Sequence, residues 1–109
     1  MENLYKDYYK LLNMSKKVKT IEDLKEFLKK YFEKKQVNIY LFGSRARGDN
    51  SIYSDIDLAF ESDENLSDYL AILEEILEES NLPYKVDIVN LKEASYLKDI
   101  INKEGIKWL

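Results

Sequence analysis

Neither cysteine nor histidine occurs in this chain. Without them there is no disulfide framework, no thiolate or imidazole nucleophile, no histidine general base and none of the usual zinc ligands. Any catalysis must rest on carboxylates, lysine, arginine, hydroxyls and a hard metal. No apolar run approaches the length that spans a membrane, and the start, Met1-Glu2-Asn3-Leu4-Tyr5-Lys6, lacks the basic-then-apolar order of a signal peptide. No membrane association and a cytoplasmic location are therefore expected. An excess of positive charge is missing too. The formal net charge of -4 argues against direct nucleic-acid binding as the main task, yet leaves room for a small phosphate-bearing substrate in a local basic loop. What is present, 45% hydrophobic and 35% charged residues over 109 positions, suits one folded domain that closes its core without staples.

Glycine is also scarce, and its placement is informative. Of only three glycines, Gly43 and Gly48 fall in one window, directly after the β-rich run Val37-Asn38-Ile39-Tyr40-Leu41-Phe42. Backbone permissiveness is concentrated there. The surrounding pattern predicts strands at Val37 to Phe42, about Asp55 to Glu61, and Tyr84 to Asn90. Helical spacing is read over residues 2 to 14, from Ile21 to about Lys35 behind a Thr20/Asp23 capping box, and from Asn65/Asp68 to near Asn81. It is read again from Leu91 to Lys103, with Gly105 as C-cap before a short tail, Ile106 to Leu109. Strands interleaved with helices predict a mixed α+β fold, a small sheet covered by helices.

The chemistry concentrates between residues 43 and 57. Side chains two apart on a strand share a face, so Asp55 and Asp57 converge while Ile56 and Leu58 point away. Two adjacent carboxylates repel, and a hard divalent ion such as magnesium relieves the conflict. Asp87 sits within the apolar run Val86, Ile88, Val89, where a carboxylate is costly unless paired, hydrogen-bonded or metal-bound. It either completes a three-carboxylate cluster or points to solvent from an edge strand. Gly43 permits a sharp turn that aims amides near Ser44 at an anion, and the Ser44 hydroxyl adds a donor. Arg45 and Arg47, on either side of Ala46, are candidates to clamp phosphate; the alternative for them is a surface pairing with Asp49 or Glu61. The loop is not a Walker A motif, because no lysine followed by serine or threonine comes after Gly48.

Gly43-Ser44, the Asp55-Ile56-Asp57 triplet and the later lone Asp87 resemble the nucleotidyltransferase superfamily of DNA polymerase beta type, most closely its minimal members, the MNT proteins. The resemblance covers residues 20–109, the expected minimal nucleotidyltransferase domain, and leaves residues 1–19 as an N-terminal helical extension. It implies a nucleotidyltransferase fold and transfer of AMP from ATP, with Asp55, Asp57 and Asp87 as metal ligands and catalytic residues. It further implies that Gly43 and Ser44 hold the terminal phosphates, with help from Arg47. Larger relatives carry a second domain for the acceptor, so a separate protein is expected to supply it here. Minimal members pair with a HEPN-type RNase toxin, adenylylate a tyrosine on it and so act as its antitoxin. The alternatives are a module that neutralises its partner by contact alone, through the tyrosine-rich residues 5 to 9 or an exposed Trp108-Leu109 end, and nucleotidyl transfer to RNA or a small molecule.

Overall fold

The computed structural model describes residues 7–109. The expectations that rest on Leu4 and Tyr5 lie outside them. Helix α1 (Tyr8–Ser15) is followed by α2 (Ile21–Tyr31), whose start is held by the expected capping box: the Thr20 side chain accepts from the Asp23 amide, and the Asp23 carboxylate accepts from the Thr20 amide. The helix stops at Tyr31, short of Lys35, because Phe32 leaves helical geometry to be buried under the sheet and two tight turns lead on to the first strand.

Four strands form one mixed sheet in the order β3-β2-β1-β4: β1 (Asn38–Phe42), β2 (Ile56–Glu61), β3 (Val86–Asn90) and β4 (Ile106–Lys107). β2 runs antiparallel to β1 and parallel to β3. Between β2 and β3 lies α4 (Ser67–Glu78), and between β1 and β2 the single turn α3 (Ser44–Arg47). The stretch expected as one helix from Leu91 splits into turns, a 3₁₀ turn (Ser95–Leu97) and α5 (Lys98–Glu104). Asn90 causes the split: its side chain accepts from the Lys92 amide, and its carbonyl takes the amides of Glu93 and Ala94.

Two further expectations are corrected. The tail after Gly105 contains a strand, since β4 pairs antiparallel with β1 and Ile39 exchanges backbone hydrogen bonds with Trp108 and Leu109. Trp108 is accordingly half-buried under the Lys25 ammonium, 5.1 Å from its ring centre, rather than an exposed anchor. Gly105 is the C-cap of α5, as expected, but with φ -66 and ψ 141 no left-handed turn demands glycine. Proximity does instead, because a Cβ there would crowd the Ile101 carbonyl.

Alternation along the strands sorts their side chains. Ile39, Leu41, Ile56, Leu58 and Phe60 face α1, α2 and α4 and are buried with Leu24, Leu28, Leu73 and Ile76 in the main core. Each such residue contributes about 1.5–3 kcal/mol by leaving water. Leu11 and Val18 belong to the same core, so the described part of the N-terminal segment is packed on the domain. The opposite face is only partly covered: Ala59 is buried with Leu91 and Ile101 beneath α5, with Tyr40 and Phe42 alongside. The remainder of that face, toward the start of β2 and β3, carries the candidate site.

Candidate active site

The site begins where β1 ends. Gly43 has φ 75 and ψ -157, a backbone state that is essentially glycine's alone. A side chain is excluded for a second reason, since a Cβ at Gly43 would overlap Oδ2 of Asp57. The glycine thus brings the loop backbone against the carboxylate. From there the chain makes the helical turn α3, in which the amides of Ala46 and Arg47 both donate to the Gly43 carbonyl at 3.1 Å. The amides of Ser44 and Arg45, first in the turn, lie beyond the reach of intrahelical bonding and remain as donors beside the Ser44 hydroxyl. Gly48 closes the turn in the left-handed region at φ 83, its amide on the Ser44 carbonyl at 2.9 Å.

The carboxylates come from a parallel pair of strands, central β2 and edge β3. Register pairs Phe42 with Asp57 and Asp57 with Asp87, so all three occupy one cross-strand row on the open face. Asp87 is on an edge strand, as its alternative reading held, yet it is Asp57 that it meets. Burial is the largest influence on Asp57 and raises its carboxyl above the ordinary value. The like charge of Asp87 acts in the same direction, as do a hydrogen bond between the two carboxyl groups and the charge of Asp55, while Arg47 opposes them. Asp55 lies one residue ahead of β2, because the Ile56 amide, 2.9 Å from the Lys85 carbonyl, makes the first ladder bond. It keeps the strand's parity with Asp57. As the side chains stand, the described residues contain no group of three His, Cys, Asp or Glu already gathered to hold a metal ion. The arrangement is a close pair, Asp57 and Asp87, with Asp55 acting on it from beside.

The two arginines part company. Arg45, expected as a phosphate clamp, is committed elsewhere: Nε and Nη2 donate to the Ser54 carbonyl at 3.0 and 2.9 Å, and its guanidinium lies 4.4 Å from the Tyr84 ring centre. It braces the loop between Gly48 and Asp55. Arg47 is exposed and holds Asp49 at 3.0 Å and Glu104 at 3.2 Å, pairs weak enough in water to be exchanged for a stronger anion. Its charge already reaches Asp57.

Sequence reasoning missed Lys85, whose Nζ lies 3.4 Å from Oδ1 of Asp87. A signal existed, because Lys85 is two residues before Asp87 and so shares its strand parity. Glu104 and Ser54 were missed as partners of the two arginines, and nothing local announces them.

An all-oxygen set drawn from Asp55, Asp57 and Asp87 suits a hard divalent cation. Residues 22–107 match the family model described as polymerase beta, nucleotidyltransferase. A protein of Methanocaldococcus jannaschii, provisionally named protein adenylyltransferase MJ1379, is 37% identical over 100 residues, which are 82% of this chain and 98% of that relative. One from Haemophilus influenzae, provisionally named protein adenylyltransferase MntA, is 43% identical over 68 residues, 60% of this chain and 59% of that protein. A crystal structure from Sulfolobus solfataricus, provisionally described as a nucleotidyltransferase, aligns over 98% of this chain and 86% of its own with a TM-score of 0.47 and 20% identity, too distant to bear on the site. By the family match and the extent of the archaeal relative, the chain belongs to the polymerase beta nucleotidyltransferase family, among its minimal members.

Proposed function

We propose that this protein transfers AMP from ATP to a hydroxyl, a tyrosine's, on a partner protein, with magnesium, and that the partner is a HEPN-type RNase toxin which it silences as antitoxin. The observation that carries the chemistry is the Asp57/Asp87 pair set against the Gly43-Ser44 turn. The protein acceptor is supported by the names of the two adenylyltransferase relatives, and the toxin by the family resemblance.

Asp55, Asp57 and Asp87 would hold the ion, which when bound supplies charge neutralisation for the attacking and leaving oxygens. The chain's own groups do the rest. The Ser44 hydroxyl and the amides of Ser44 and Arg45 bind terminal phosphate oxygens, and Arg47 turns from Asp49 and Glu104 to the same anion. Asp87 accepts the proton of the attacking hydroxyl. That oxygen bonds to the alpha phosphorus as the bond to the bridging oxygen breaks, and pyrophosphate leaves with the electron pair. Holding the hydroxyl and phosphorus in line removes much of the entropic barrier.

The test uses ATP labelled at the alpha phosphate, magnesium and a lysate containing the genomic neighbour, with an Asp55→Ala/Asp57→Ala control. Label on a discrete protein only with intact aspartates is expected. Labelled RNA or a labelled small molecule would replace the protein acceptor. A neighbour still inhibited by the double variant, with no label anywhere, would replace catalysis with neutralisation by contact.

A further inference from the structure

β3 is the open edge of the sheet: β2 pairs with one side, and no strand among the described residues pairs with the other. Along such a strand successive residues turn their backbone groups alternately toward and away from the neighbour. The Ile56 amide donates to Lys85 O and the Leu91 amide to Phe60 O, both at 2.9 Å, so Lys85, Asp87, Val89 and Leu91 address β2. Val86 and Ile88 therefore turn N–H and C=O outward, and among the described residues nothing pairs with them. The free stretch ends at Asn90, whose outward carbonyl is taken by the amides of Glu93 and Ala94 at 3.0 Å each.

A groove of about 460 Å³ runs between this edge and the end of α4, and its lining includes Glu74, Glu78, Tyr84, Ile88 and Asp87. Its charge is one-sided. Glu74 and Glu78 are exposed and have no ion pair among the described residues, and the lining's lysine, Lys85, is drawn to Asp87. Unpaired edge groups bind most directly to another extended backbone, and an acidic wall favours basic side chains on it. Asp87 links this groove to the carboxylate pair.

We infer that this edge docks the acceptor: an extended, lysine- or arginine-bearing protein segment adds to the sheet through Val86 and Ile88, sets its basic side chains over Glu74 and Glu78, and brings its hydroxyl to Asp87. The inference rests on the reading of the protein as one that modifies a protein hydroxyl. Acidic segments and nucleic acid meet like charge along the same wall.

The experiment follows amide hydrogen exchange in the full chain while two synthetic peptides are added. Both alternate threonine and valine around a central tyrosine, one with three lysines and the other with glutamates in their place. The lysine peptide should slow exchange at Val86 and Ile88 about tenfold or more, since unbonded edge amides become ladder bonds. The glutamate peptide should not, and Glu74→Lys/Glu78→Lys should reverse that preference. Binding of the lysine peptide without protection of these two amides overturns the inference, as does failure of the lysine peptide to bind. Transfer of labelled AMP to the tyrosine is read separately. Protection without transfer keeps the docking edge and removes the catalytic reading, whereas transfer without protection removes only the docking edge.

Discussion

On one face of the sheet Ile39, Ile56, Leu58 and Phe60 are sealed beneath α1, α2 and α4, each with no exposed surface; on the other face of the same strands Phe42, Asp57 and Asp87 form an open row. The residues alternate, so both faces arise from the same backbone. The apolar face contributes the folding free energy, and the open face holds like charges together at some cost to it. Stability and chemistry are thus separable by single substitutions one residue apart.

The largest effect should come from breaking the sealed face. Phe60→Ala removes a fully buried ring that packs against Phe32 and should lose about 3–5 kcal/mol, read as a lower denaturation midpoint. Whatever fraction of this variant stays folded should keep its transfer rate.

Asp57→Asn should do the reverse. Labelled transfer should fall about 100-fold or more, or about 2.7 kcal/mol of transition-state stabilisation. Stability should rise at neutral pH. Burial, then Asp87, raise the folded carboxyl above its ordinary value of 3.8, so the folded state binds its proton more tightly than the unfolded chain does. Stability therefore falls as pH rises from the unfolded value through the folded one, and stays lower above it. Asparagine does not ionise and escapes this loss. Melting temperatures of variant and parent should diverge as pH rises through this window and converge below it.

A smaller effect should distinguish the two glycines of the loop. Gly43→Ala meets both a disallowed backbone and the Asp57 carboxylate, and should cost about 1–3 kcal/mol together with most of the transfer activity. Gly48→Ala has open space and only the left-handed backbone to oppose it, so a loss of about 1 kcal/mol with transfer retained is expected. Equal losses of transfer in both would mean that the closeness of Gly43 to Asp57 has no chemical role.

Much of this division could be read from the sequence because it follows strand parity. The alternation of Asp57 with Ile56 and Leu58, the Thr20/Asp23 box and the apolar stripe of α4 are local patterns, and the structure repeats them. What could not be read depends on distant partners. β4 has two residues, too few to show alternation, and exists because Ile39 meets Trp108 and Leu109. Arg45 and Arg47 are indistinguishable in sequence. Only the Ser54 carbonyl and the Tyr84 ring, brought in from other segments, decide which one braces the loop. Likewise Gly105 caps α5 as its position suggests, but the neighbouring Ile101 carbonyl, invisible in the sequence, is what excludes a side chain there.

The central claim is that the open face holds a carboxylate pair whose charge a cation relieves. The most direct measurement is a carbon-13 titration of the Asp57 carboxyl, with and without magnesium. Without the ion its midpoint should lie above the ordinary 3.8, and it should fall when magnesium is added or when Asp87→Asn removes the neighbouring charge. A midpoint at the ordinary value that neither magnesium nor Asp87→Asn moves would contradict the account.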